Sequence, residues 1–243
     1  MSLKNKTILI TGAGGGLGST AALALAQQGA HIILLDKIIP KMEKVYDAIV
    51  ATGAPEPIMY PFDLAGANEA QYEELAQIIA EKYGKLDGLL HSALHFHYFA
   101  PLAALKTKEW SDALNVNLNA AFLLTRVLLP VLQNADHASI VFTSDSSARL
   151  GKAYSGAYGV SKIALEGLAK ILAEELEMGG KIRVNTLIPN CVDSPFREKA
   201  YPAEDKTLLT PMSRLNSVYC YLFGEQSLGV TGQVIDAFTF KHS

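Results

Sequence analysis

Tyr158 and Lys162 stand four residues apart in Tyr158-Gly159-Val160-Ser161-Lys162, a spacing that puts a phenol and an ammonium on one face of a helix. A free phenol has a pKa near about 10, too high for easy proton exchange at neutral pH. A neighbouring ammonium favours the phenolate and lowers that value. Such a pair can protonate a carbonyl oxygen as hydride arrives, or deprotonate an alcohol as hydride leaves. Exposed helical Tyr/Lys pairs also arise by chance, so the spacing needs company.

A glycine-rich turn supplies it. Thr11-Gly12-Ala13-Gly14-Gly15-Gly16-Leu17-Gly18 follows the apolar run Ile8-Leu9-Ile10 and opens a helical pattern. Glycines there allow a tight turn, let backbone N–H groups approach a pyrophosphate, and aim a helix N-terminus at it. Leu17 occupies the third glycine of G-x-G-x-x-G, but T-G-x-x-x-G-x-G fits through Thr11, Gly12, Gly16 and Gly18. The lysine of a triphosphate-binding loop is absent. Asp36 closes the second apolar run, 24 residues after Gly12, where a carboxylate accepts hydrogen bonds from adenosine ribose hydroxyls and repels a 2′-phosphate. The glycine turn carries no arginine or lysine, although Lys37 softens the preference. These residues select NAD over NADP.

The elements that would position these groups alternate along the chain. Short continuous apolar runs suit strands covered on both faces, the pattern of a parallel sheet. We read strands near 6–11, 31–36, 57–62, 86–92, 138–144, 182–188 and 233–238. Helices are read near 16–28, 40–52, 68–83, 107–133, 155–178 and 212–223. Leu114, Leu118, Phe122, Leu129 and Leu132 form one expected buried stripe, and Leu165, Leu168, Leu172 and Leu176 another. Strand then helix, repeated, predicts an α/β fold: a doubly wound parallel sheet in a three-layer α/β/α sandwich. One domain over residues 1–243 is expected, with an irregular stretch near 190–211 as a substrate lid.

Taken together these features resemble the short-chain dehydrogenase/reductase family over nearly the whole chain. The matching pieces are the glycine turn, Asp36, Asp63-Leu64, Asn117, the Tyr158/Lys162 pair and Val230-Thr231-Gly232-Gln233-Val234. The resemblance implies a seven-stranded Rossmann sheet, NAD(P)-linked hydride transfer between a secondary alcohol and a carbonyl, and a homodimer or homotetramer. It also implies roles. Tyr158 would be the acid/base, Lys162 would bind the nicotinamide ribose and lower the tyrosine pKa, and Asn117 would support a proton-relay water. Asp63 would lie beside the adenine, with Leu64 next to it; Ser92, Ala93, Pro189 and Asn190 would flank the coenzyme.

Departures from the family sit near the same cleft. The register thirteen residues before Tyr158, usually a serine, holds Asp145 in Thr143-Ser144-Asp145-Ser146-Ser147. An ionised carboxylate donates no hydrogen bond and disfavours a developing alkoxide. Ser144 or Ser146 would replace the missing hydroxyl if the strand end bulges, since adjacent strand residues face opposite ways. Alternatively Asp145 is kept protonated and donates as a neutral acid. His91-Ser92-Ala93-Leu94 replaces Asn-Asn-Ala-Gly, and Pro189-Asn190 replaces Pro-Gly. The competing reading is a catalytically impaired NAD-binding or assembly protein that keeps the fold.

Composition trims the remaining options. The chain has 243 residues, 49% hydrophobic and 19% charged, with a net charge of −3. That excludes wholesale disorder and leaves no basic footprint for nucleic acid or an anionic membrane; a small-molecule substrate is the expected partner. Two cysteines make no disulfide framework, and the opening residues lack a signal-peptide pattern, so a cytoplasmic location is expected. No apolar run reaches bilayer-spanning length. No metal is expected: His91, His95 and His97 cluster without acidic or cysteine ligands, and His95, Phe96, His97 and Tyr98 are read as shaping a substrate pocket. Gly159-Val160-Ser161-Lys162-Ile163 misses the hydrolase elbow by its last glycine. Arg149 and Arg197 are read as solvated surface.

Overall fold

The computed structural model describes residues 2–241. Strands β1 (Thr7–Thr11), β2 (His31–Asp36), β3 (Ile58–Pro61), β4 (Gly88–His91), β5 (Ala138–Thr143) and β6 (Ile182–Ile188) precede a short pair, β7 (Val192–Asp193) and β8 (Thr210–Pro211), and then β9 (Val234–Asp236). Seven of them form one sheet in the order β3-β2-β1-β4-β5-β6-β9, every neighbour parallel. Chain direction across the sheet reverses between β1 and β4. In sheets of this kind ligands sit at the carboxyl ends of the strands beside that reversal.

Every residue of β1, β5 and β6 is buried, which explains the apolar runs Ile8-Leu9-Ile10 and Ile140-Val141-Phe142. In β6 the buried Arg183 and Asn185 donate to Ser227 Oγ and the Val230 carbonyl. Successive strand side chains serve opposite layers. Ile8 and Ile10 join Leu25, Leu34 and Phe223 in one core, while Leu9 joins Leu35, Leu89, Leu128 and Leu165 in the other. Burying a side chain such as Leu165 contributes about 1.5–3 kcal/mol.

The helices are α1 (Gly16–Gln27), α2 (Ile39–Ala51), α3 (Glu69–Tyr83), α4 (Thr107–Leu114), α5 (Ala120–Gln133), α6 (Ser146–Arg149), α7 (Gly156–Glu177), α8 (Pro195–Ala200) and α9 (Asn216–Phe223). Asn68 caps α3 reciprocally with Gln71, and Gly84 ends it at φ 69°, where a Cβ would be strained.

The predicted helix over 107–133 is continuous but carries a π turn at Asn115–Asn119. That wider turn shifts the register, so the expected stripe is corrected. Phe122 is exposed, and the buried face is Ala120, Ala121, Leu124, Leu128, Val131 and Leu132. By length and composition Thr107–Gln133 could cross a bilayer, contrary to the expectation that nothing reaches that length. Here its apolar face packs on α3 and β4. The stripe of α7 lies as expected, with Leu165 and Leu172 buried.

The stretch expected to be irregular is more ordered than its prolines suggest. Pro195 opens α8, where its missing N–H is no loss, and Val192 pairs with Thr210 to close β7 on β8.

Candidate active site

The carboxyl ends of β1, β4 and β5 face a cleft of about 390 Å³. Its two ends are built by different halves of the sheet.

The glycine turn forms one end. Gly12 holds φ +64°, and a Cβ there would lie 2.7 Å from Ala93 Cα; at Gly18 it would lie 2.2 Å from the Gly12 carbonyl oxygen. Thr11 Oγ1 accepts from the N–H groups of Ser92 and Ala93, both at 3.1 Å, stitching β1 to the chain leaving β4. No side chain caps α1, so its first-turn N–H groups stay open toward a cleft lined by Gly15, Gly16, Leu17 and Gly18. Ser92 Oγ is buried, without a hydrogen-bond partner, and its residue lines the cleft. At Gly16 a Cβ would stand 2.8 Å from Pro195 Cδ and 3.1 Å from Met212 Sδ, so the start of α8 rests directly on the turn. A clear turn, open N–H groups and an orphaned hydroxyl fit a nicotinamide dinucleotide.

Asp36 sits beside the turn. Its Oδ2 accepts from Gly14 N–H and its Oδ1 from Ile38 N–H, each at 3.0 Å. Lys37, Lys41, Asp63 and Leu64 line the same end, and Lys37 Nζ lies 3.9 Å from Asp63 Oδ1.

At the other end Tyr158 Oη donates to Asp145 Oδ2 at 2.8 Å. Asp145 caps α6, its Oδ1 accepting from Ser147 N–H at 2.7 Å and Ser147 Oγ–H at 2.5 Å. Lys162 Nζ donates to the Thr143 carbonyl at 2.8 Å and stands 6.0 Å from the Tyr158 ring centre. The expected lowering of the tyrosine pKa is therefore corrected. Burial first, then the charge and hydrogen bond of Asp145, hold Tyr158 well above its ordinary value. Burial pushes Lys162 down to about 8, with Asp145 opposing.

Neither serine beside Asp145 bonds the phenol. Ser144 also lines the cleft, but its hydroxyl donates to Glu166 Oε1 at 2.6 Å, while Glu166 Oε2 receives Arg149 Nε at 2.9 Å. Ser146 opens α6 and is not among the cleft-lining residues. The phenol faces a carboxylate.

Asn117 occupies the π turn and is buried. Its Nδ2 donates to the His95 carbonyl and to Ser161 Oγ, both at 3.0 Å, and its Oδ1 accepts from His95 N–H at 2.7 Å. Both side-chain N–H groups are thus committed to tying the loop after β4 to α7. Pro189 and Asn190 line the cleft; Asn190 takes φ +60° and donates to Asp236 Oδ1 at 2.6 Å. That is the left-handed conformation asparagine tolerates. Leu94 stands on the rim.

The three histidines part company. His91 stacks on Phe142, its ring 4.7 Å away, and pairs with Thr125 at 2.8 Å; burial pushes its pKa down to about 3. His95 lines the cleft, whereas His97 is exposed beside Glu109.

Phe96, read from the sequence as a pocket residue, stands 5.5 Å from the Tyr158 ring. Other residues went unnoticed: Phe196 is 5.3 Å from the same ring, with Phe99 and Tyr201 behind. Glu166 continues the face of Tyr158 and Lys162 by one more turn, a spacing that could have revealed it. Arg149 and Arg197 are not free surface charges: Arg149 holds Glu166, and Arg197 pairs with Glu204 and lies 3.9 Å over the Tyr201 ring.

A family model described as short chain dehydrogenase matches residues 6–205. The uncharacterized oxidoreductase YciK of Escherichia coli (strain K12) is 37% identical over 235 residues, covering 97% of this chain and 92% of its own length. A solved structure from Shigella flexneri 2a, complexed with NADP, is similar at a TM-score of 0.94 and 36% identity, covering 97% of this chain and 98% of that one. Another, from Escherichia coli CFT073 complexed with NADPH, gives a TM-score of 0.93 and 37% identity, covering 97% of both chains.

Proposed function

This chain belongs to the short-chain dehydrogenase family, and from that premise we propose that it is an oxidoreductase using a nicotinamide coenzyme on a small molecule at the Tyr158 end of the cleft. The observation that carries this reading is the one continuous cleft that joins the glycine turn to the Tyr158 phenol. When bound, the coenzyme supplies or accepts a hydride. Thr11, Gly12, Gly16, Leu17 and Gly18 would hold its pyrophosphate end, and Ser92, Ala93, Pro189 and Asn190 its nicotinamide end. With a secondary alcohol or carbonyl as substrate, Tyr158 holds the transferable proton, and Lys162 orients the ribose beside it.

We read the coenzyme as NADP(H). Lys37 and Lys41 flank Asp36 at the adenosine end, and two relatives of similar fold are complexed with NADP and NADPH. Ammonium groups there favour a 2′-phosphate. Asp36 itself supports a second reading, NAD(H), because a carboxylate repels that phosphate. Loss of reduced-coenzyme absorbance with NADPH and NADH against a set of carbonyl compounds tests the whole reading. Turnover with NADPH at lower KM is expected. Absence of turnover with either coenzyme, while both bind, would leave the non-catalytic reading that Asp145 beside Tyr158 supports.

Exposed apolar side chains on α5 and α7, Phe122, Val160, Ile163 and Ile171, support a homodimer or homotetramer, which light scattering checks. Two unpaired cysteines, one of them exposed, support a cytoplasmic setting.

A further inference from the structure

Asp145 is half-buried, lines the cleft and turns Oδ2 toward the phenol of Tyr158. Among the described residues no Lys, Arg or His nitrogen stands within 4.0 Å of its carboxylate. The cations nearby are engaged elsewhere: Lys162 with the Thr143 carbonyl, Arg197 with Glu204, and Lys199 with the Phe96 carbonyl at 2.8 Å. The rings of Phe96 and Phe196, 5.2 Å apart and nearly perpendicular, line the same part of the cleft. A partly desolvated carboxylate with no cation in direct contact among the described residues, bordered by aromatic faces, matches a flat cationic ligand.

The charge of Asp145 also selects among reactions. Reducing a ketone builds negative charge on oxygen, which a carboxylate at hydrogen-bond range from the proton donor opposes. A protonated C=N bond starts positive and ends neutral, and a carboxylate raises the fraction present as the cation. Such a substrate needs no proton from Tyr158 during reduction. Resting on the oxidoreductase reading above, we propose that the substrate class of this site is a cyclic imine, bound as its iminium cation against Asp145 and beside Phe96 and Phe196.

The step balances. The iminium carbon gains a hydride from the reduced nicotinamide coenzyme, forming a C–H bond. The π pair of the C=N bond passes to nitrogen, giving a neutral secondary amine, and the coenzyme is left oxidised. Tyr158 donates to Asp145 and fixes the direction of the carboxylate.

The test compares 3,4-dihydroisoquinoline with its ketone counterpart 1-tetralone in wild type and in Asp145→Asn, which keeps the size and capping oxygen but not the charge. A second readout, by calorimetry without coenzyme, is the affinity for the protonated amine 1,2,3,4-tetrahydroisoquinoline. Wild type is expected to favour the imine in kcat/KM, and Asp145→Asn to lose imine turnover and amine affinity by about ten- to hundredfold, so that the imine-over-ketone preference in kcat/KM falls with the charge. Ketone turnover without imine turnover overturns the substrate class and leaves the oxidoreductase reading standing. Coenzyme left unoxidised by both compounds overturns the two together. Amine affinity unchanged in Asp145→Asn overturns the cation site whatever the turnover.

Discussion

Tyr158 and Lys162 lie on successive turns of α7, yet their polar ends are not joined: the phenol donates to Asp145 and the ammonium to the Thr143 carbonyl, each at 2.8 Å. The pair shares a face while answering to different partners. With Asp145 as the nearer influence, the proton stays on the phenol.

Tyr158→Phe removes the phenol that donates to Asp145 and leaves the glycine turn untouched. Carbonyl reduction should fall about 10²–10⁴-fold, with coenzyme affinity unchanged by fluorescence titration. Full activity in this variant contradicts the acid/base assignment.

Alcohol oxidation needs the phenolate, and Tyr158 is held well above 10 by burial and by Asp145. The oxidation rate should therefore keep climbing with pH instead of levelling near neutrality. Asp145→Asn removes two of the raising influences, so the rise should move to lower pH. A pH profile identical to wild type contradicts the coupling.

Lys162 titrates near 8 when folded, against 10.5 ordinarily. Below pH 8 both folded and unfolded chains carry the proton, and burial of the charge costs about 3 kcal/mol. Between 8 and 10.5 the unfolded chain binds the proton more tightly, so stability gains as pH rises. The stability margin of Lys162→Met over wild type should shrink by about 2 kcal/mol between pH 7 and 10 in denaturant titrations. A margin independent of pH refutes the buried-charge account.

Gly12→Ala places a Cβ 2.7 Å from Ala93 Cα at a positive φ. Strain of about 1–3 kcal/mol is expected, with coenzyme binding lost before the fold is. Thermal melts with and without NADPH should show that the coenzyme no longer raises Tm.

Much of this was readable from residue order. Unbroken apolar runs marked β1, β2 and β5 because both faces of each are covered, and the Tyr158/Lys162 spacing marked α7. The displaced stripe on α5 was not readable. An extra residue in the π turn at Asn115–Asn119 leaves no mark in periodicity, since it is stabilised by Asn117 bonding to His95 and Ser161 in distant segments. Phe196 was missed, and Arg197 was read as solvated surface, for a similar reason. Prolines in 189–211 read as an irregular lid, while the aromatic contacts that bury part of it come from Phe96 and Tyr158 far away in sequence. The charge environment of Tyr158 depended on which of three adjacent side chains pointed inward, and only the capping of α6 by Asp145 decides that.

Pro195 and Met212 press on Gly16 with no room for even a methyl group between them. The helix that carries Phe196 and Arg197 is thereby keyed to the turn through a glycine-sized gap. Adding a single carbon there would push that helix outward, so the two ends of the cleft are not independently mutable.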